Sequence, residues 1–109
     1  MIHSDEQLTQ TQSQILKSLG ANLELAIKRR RLRRQDVAEK AGISVPTLRK
    51  MIQGDAGVRI GAWVTVLDVL DLLDDLGKVA APQHDEIGLA AEKRHLPKRS
   101  RIIRSKYDF

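Results

Sequence analysis

Between Arg34 and Gln53 two short helical patterns meet at a glycine, and this junction constrains the fold more than any other feature of the chain. Residues 34–41 read as a helix with Val37, Ala38 and Ala41 on its apolar side. Gly42 ends it, since glycine best tolerates the left-handed conformation of a helix terminus. Ser44-Val45-Pro46-Thr47 then starts another helix: the serine hydroxyl can accept from an orphan amide, and proline in a first turn has no helical hydrogen bond to lose. This second helix is expected from Val45 to about Gln53, stopping at Gly54, with Gly54-Asp55-Ala56-Gly57 as a turn. Helices joined so tightly pack at a steep angle only around a small side chain. Ala38 supplies it, Ile43 plugs the wedge, and Leu48 and Met51 face inward from the second helix.

The flanking segments also read as helices. Ile15, Leu16, Leu19, Leu23, Ala26 and Ile27 recur at helical spacing and predict a helix from Ile15 to about Arg31. Gly20 lies inside it at a cost of ~1 kcal/mol relative to alanine. Before it, residues 1–14 are mostly polar and read as a flexible arm. From Trp63 to Leu76 a dense run of Val and Leu predicts two short helices or one bent one, closing at Gly77. Ala80-Ala81-Pro82 reads as a linker, Asp85 can cap a short helix carrying Ile87, Ala90 and Ala91 toward one side, and Pro97 would end that helix. The expected divisions are an arm (1–14), a helical domain (15–79) and an extension with a basic tail (80–109). A chain of 109 residues holds one domain of this kind, and with aromatics at 3% its core must be aliphatic.

The absence of cysteine excludes disulfides, thiol nucleophiles and cysteine-type zinc sites. His3, His84 and His95 lack the paired spacing of a metal site or catalytic dyad, so no catalytic, metal or cofactor site is expected. Asp68, Asp71, Asp74 and Asp75 read as solvated surface or a face for a basic partner rather than as a metal site. The N-terminus has neither a basic nor an apolar leader region, and no stretch of about 18 apolar residues occurs, so an unexported cytoplasmic chain is expected. The net charge of +5 is segregated: residues 1–60 carry 11 basic and 6 acidic side chains, 61–83 carry 1 and 4, and 84–109 carry 7 and 4. Such blocks suggest one face for a polyanion and a separate surface for something else.

The run Gln35-Asp36-Val37-Ala38-Glu39-Lys40-Ala41-Gly42-Ile43-Ser44, in its helical context over residues 15–77, resembles the helix-turn-helix of the Xre/Cro/C1 repressor family. The resemblance implies an all-α fold, a five-helix lambda-repressor-like DNA-binding domain with a C-terminal extension. It also implies a dimer that presents two recognition helices about 34 Å apart to a near-palindromic operator. The dimer contact is expected in the block from Trp63 to Val79, although Trp63 also reads as plain core.

Because the major groove of B-DNA admits one helix, the exposed first turn of the second motif helix is the part that reaches base edges. Its side chains are Ser44, Val45, Pro46 and Thr47, with Lys50 one turn on. Lys50 can donate to guanine O6 and N7, Thr47 can bond a base or a phosphate, and Val45 and Pro46 offer apolar contact. Relatives carry glutamine or asparagine at the two positions after Ser44, so bidentate adenine recognition is not expected here. Phosphate contacts are expected from Arg33, Arg34, Gln35, Arg49 and Arg59, within a field supplied by residues 28–34. That basic run has a plainer reading too, since cations are favoured at a helix C-terminus whatever the partner.

Residues Asp85 to Arg99 resemble the C-terminal extension of HipB-type antitoxins, DNA-binding partners of HipA-type serine/threonine kinases. The implied role is an autorepressor that holds a whole or split kinase toxin in an operator-bound complex. A basic tail bearing Ile103, Tyr107 and Phe109 suits a protein ligand that orders on binding; the plainer reading is a tail that merely adds charge for DNA. A stand-alone Xre-family repressor and an RNA-binding or scaffolding bundle are the competing readings. The single tryptophan in the body disfavours an RNA-stacking surface.

Overall fold

The computed structural model describes residues 7–95, and every regular element among them is helical. Helix α1 spans Gln10–Arg29, α2 Arg34–Ala41, α3 Val45–Gln53, α4 Ile60–Val69 and α5 Leu73–Gly77; a 3-10 turn at Pro82–His84 and α6, Glu86–His95, follow. The chain divides into two units at Leu76 and Gly77.

In the first unit α1 packs on α3, while α2 packs on both α3 and α4. Leu23 and Ile27 from α1, Val37, Ala38 and Ala41 from α2, Leu48 and Met51 from α3, and Ala62, Val66 and Leu70 form the buried core. It is aliphatic apart from Met51, as the composition requires. Ile43, Val45, Ile52, Trp63 and Leu72 close around it, Trp63 as a half-buried side chain packed against the core. No buried side-chain nitrogen or oxygen among the described residues lacks a hydrogen-bond partner.

Helix α1 begins five residues earlier than the apolar stripe predicts. Thr9 accepts from the Gln12 N–H through its hydroxyl at 3.1 Å, and Gln12 Oε1 accepts from the Thr9 N–H at 3.0 Å. This reciprocal cap satisfies two orphan donors without any apolar contact, so residues 10–14, expected in the arm, are helical. The stripe itself is split: Leu23 and Ile27 are buried, whereas Ile15 and Leu19 stay exposed. Gly20 sits where an alanine would not fit. A Cβ there would stand 2.7 Å from the Ile52 carbonyl carbon and the Met51 carbonyl oxygen. The helix-propensity cost of this glycine is therefore the condition for α1 to lie directly on the end of α3.

Arg30 caps α1, and Arg31 follows with φ 55°, a left-handed conformation usually left to glycine. Asp71, between α4 and α5, has φ 65° and produces the break that makes two short helices of residues 60–77. In the second unit Asp85 caps α6, its Oδ1 accepting from the Gly88 N–H at 2.9 Å. Ile87, expected on the apolar side of this helix, is 83% exposed. The expected stop at Pro97 lies outside the described residues.

Candidate nucleic-acid interface

The turn between α2 and α3 is built from local chemistry. Gly42 adopts φ 73°, its N–H donates to the Glu39 carbonyl at 3.2 Å, and the Ile43 N–H donates to the Ala38 carbonyl at 3.0 Å. Ile43 is thereby drawn against the core as the plug. Ser44 then caps α3: its Oγ accepts from the Thr47 N–H at 3.1 Å and lies 2.9 Å from Thr47 Oγ1, while its carbonyl accepts from the Leu48 N–H. Ser44→Ala is expected to lose about 1 kcal/mol of stability, read as a lowered melting temperature, because one orphan amide of α3 loses its acceptor.

Helix α3 is divided sharply. Leu48 and Met51 are fully buried and Val45 and Ile52 lean on the core, while Pro46, Arg49, Lys50 and Gln53 are exposed. These four lie at i, i+3, i+4 and i+7, one face of a helix. Pro46 and Lys50 are thus on the outer surface of the helix. Ser44 and Thr47 stand at its edge with their hydroxyls engaged with one another. Val45 is turned toward the core and is half-buried, so little of its side chain remains for a thymine methyl. Gln53 belongs to the same outer face; its spacing from Pro46 and Lys50 was the available signal.

The expected phosphate-binding residues fall into two groups. Arg49, Gln35 and Arg59, the last at the N-cap of α4, are exposed, and among the described residues neither Arg49, Lys50 nor Arg59 carries an ion pair. Arg33 and Arg34 are instead engaged. Arg33 Nε donates to Asp36 Oδ2 at 3.1 Å and its Nη2 to Oδ1 at 3.3 Å. That hydrogen bond, and then the charge of Asp36, raise the Arg33 pKa above its ordinary value. Arg34 Nη2 donates to Glu24 Oε2 at 2.9 Å, and Lys28 Nζ lies 3.8 Å from the same oxygen. Sequence spacing did not mark Glu24, which reaches Arg34 from the preceding helix. Within the basic run Arg30 does the plainer job, donating from Nη1 to the Ala26 carbonyl at 2.9 Å at the end of α1.

No group of His, Asp or Glu able to hold a metal occurs among the described residues, and no described helix is long and apolar enough to cross a membrane. Ile103, Tyr107 and Phe109, the expected protein-partner residues, lie outside the described residues.

Comparison with curated proteins and with solved structures gives no match. A family model described as a helix-turn-helix domain matches residues 18–77, from within α1 to the end of α5. The match covers more than half of the chain and contains the capped turn, α3 with its exposed cationic face, and the helices that hold them. The chain belongs to the helix-turn-helix domain family, and its fold is all-α and lambda-repressor-like.

Proposed function

We infer that this chain is a sequence-specific transcriptional repressor that places α3 in the major groove of a palindromic operator and acts as a dimer. The observation that carries this reading is the outer face of α3, where Lys50 and Arg49 stand exposed and free of ion pairs beside Pro46, with Arg59 close by in sequence at the head of α4. A helix of this width fits the groove, and cations without intramolecular partners lose little when they meet phosphate or guanine. Dimerisation through the block from Trp63 to Val79 is supported by the exposure of Val64 on α4. The resemblance of residues 85–99 to the HipB extension supports the finer role, an antitoxin and autorepressor that engages a HipA-type kinase, with Ile103, Tyr107 and Phe109 as candidate anchors. A stand-alone repressor is the second reading; the family match over residues 18–77 lies in the domain common to both.

The test is duplex binding by two variants. Arg49→Ala is expected to weaken selected and random duplexes alike and to lower the salt slope by about 1, the signature of one lost phosphate contact. Lys50→Ala is expected to lose about 1–3 kcal/mol on the preferred duplex and little on random DNA. Equal losses on both duplexes for Lys50→Ala would remove its base-reading role. For the partner, the full chain and a form lacking residues 98–109 are used to capture proteins from the host under nuclease treatment. Stoichiometric recovery of a kinase by the full chain alone supports the antitoxin role. An empty eluate from folded, dimeric bait supports the stand-alone repressor.

A further inference from the structure

Arg34 is the first residue of α2, next to the positive end of that helix, where another positive charge is unfavourable by itself. Glu24 offsets it from α1 through the 2.9 Å bond to Nη2, across ten residues of sequence. The side chains of Arg34 and Glu24 remain 41% and 36% exposed, so the pair is accessible to a ligand. A guanidinium has five N–H donors, and this bond occupies one. The rest remain for a second acceptor, and the bond to Glu24 holds them in one orientation. Arg33 repeats the arrangement, held by both oxygens of Asp36. A carboxylate in a polyanion-binding face is otherwise a liability, because its charge repels phosphate.

We propose that Glu24 is a positioning residue for DNA: it holds the Arg34 guanidinium ready so that its remaining N–H groups meet a backbone phosphate without further ordering. This rests on the reading of the chain as a DNA-binding protein. The consequence runs against simple electrostatics. Removing a negative charge beside a phosphate should tighten binding, whereas removing an orienting acceptor should weaken it.

The experiment titrates a labelled random-sequence duplex with the full chain and with Glu24→Ala, Glu24→Gln, Arg34→Ala and the Glu24→Ala/Arg34→Ala double variant, with a thermal melt of each. Glu24→Ala is expected to bind about three- to tenfold more weakly, the scale of ordering one long side chain at an interface. Glu24→Gln, whose amide oxygen still accepts from Arg34, should recover most of the affinity. In the Arg34→Ala background the Glu24→Ala change should have no weakening effect. Binding by Glu24→Ala that is equal or tighter would overturn the proposal, and so would a loss of the same factor in both backgrounds, which is the mark of a merely structural role. If the unaltered chain shows no salt-dependent affinity for any duplex, the DNA reading itself fails; if it binds but the cycle shows no coupling, only the role of Glu24 does.

Discussion

Gly54→Ala is expected to destabilise the first unit by about 2–5 kcal/mol, and Gly42→Ala, at a nearly identical backbone conformation, by about 1–2 kcal/mol. Both glycines terminate helices in the left-handed region, with φ 80° and 73°. An L-residue there costs about 1–2 kcal/mol from the crowding of its Cβ against its own backbone. At Gly42 nothing lies within 4 Å of an added Cβ, so that is the whole cost. At Gly54 the same atom would stand 2.8 Å from the Lys17 nitrogen and Cα. Backbone cannot swing aside as a side-chain tip can, and overpacking of this kind adds about 1–3 kcal/mol. In a domain of this size each kcal/mol lowers the melting temperature by roughly 4–8 °C. Thermal melts of the two variants check the difference, and equal shifts would mean that α1 does not rest on the end of α3.

Leu48→Ala should lose about 2–5 kcal/mol, because the leucine is fully enclosed and its truncation leaves a cavity between α3 and the helices beneath it. Lys50→Ala, two residues on and exposed, should change stability by no more than about 0.5 kcal/mol. The two therefore separate holding the helix from using it. Denaturant unfolding should show a lowered midpoint for Leu48→Ala and an unchanged one for Lys50→Ala. Duplex binding by Leu48→Ala should fall only with its folded fraction. A Leu48→Ala protein as stable as the parent would remove Leu48 from the core.

The parts of the fold legible in the sequence are those decided within a few residues. Gly42, Ser44 and Pro46 act through their own backbone conformations and neighbouring amides, so α2 ends and α3 begins where these residues say. The buried side chains of the two helices, Val37, Ala38, Ala41, Leu48 and Met51, follow from spacing alone. The start of α1 was equally local, written in Thr9 and Gln12, yet outweighed by the lack of apolar residues around it. What spacing could not carry are contacts between segments. Gly20 reads as a weak point of a helix until the carbonyls of Met51 and Ile52 are placed against it. Arg34 reads as a free cation until Glu24 arrives from another helix. Val45 reads as an outward position because it opens α3, but the direction in which a first-turn side chain leans depends on the packing of the whole helix.

The backbone approach at Gly20 and Gly54 also bears on how such a surface can change. Helix α3 is seated by two glycines against another helix and by Leu48 and Met51 beneath it, and none of these lies on its outer face. Arg49 and Lys50, exposed on that outer face, lie away from the seat. Their identities can therefore be exchanged without altering the angle at which the helix is presented, so the residues that set sequence preference can diverge while the frame beneath them stays the same.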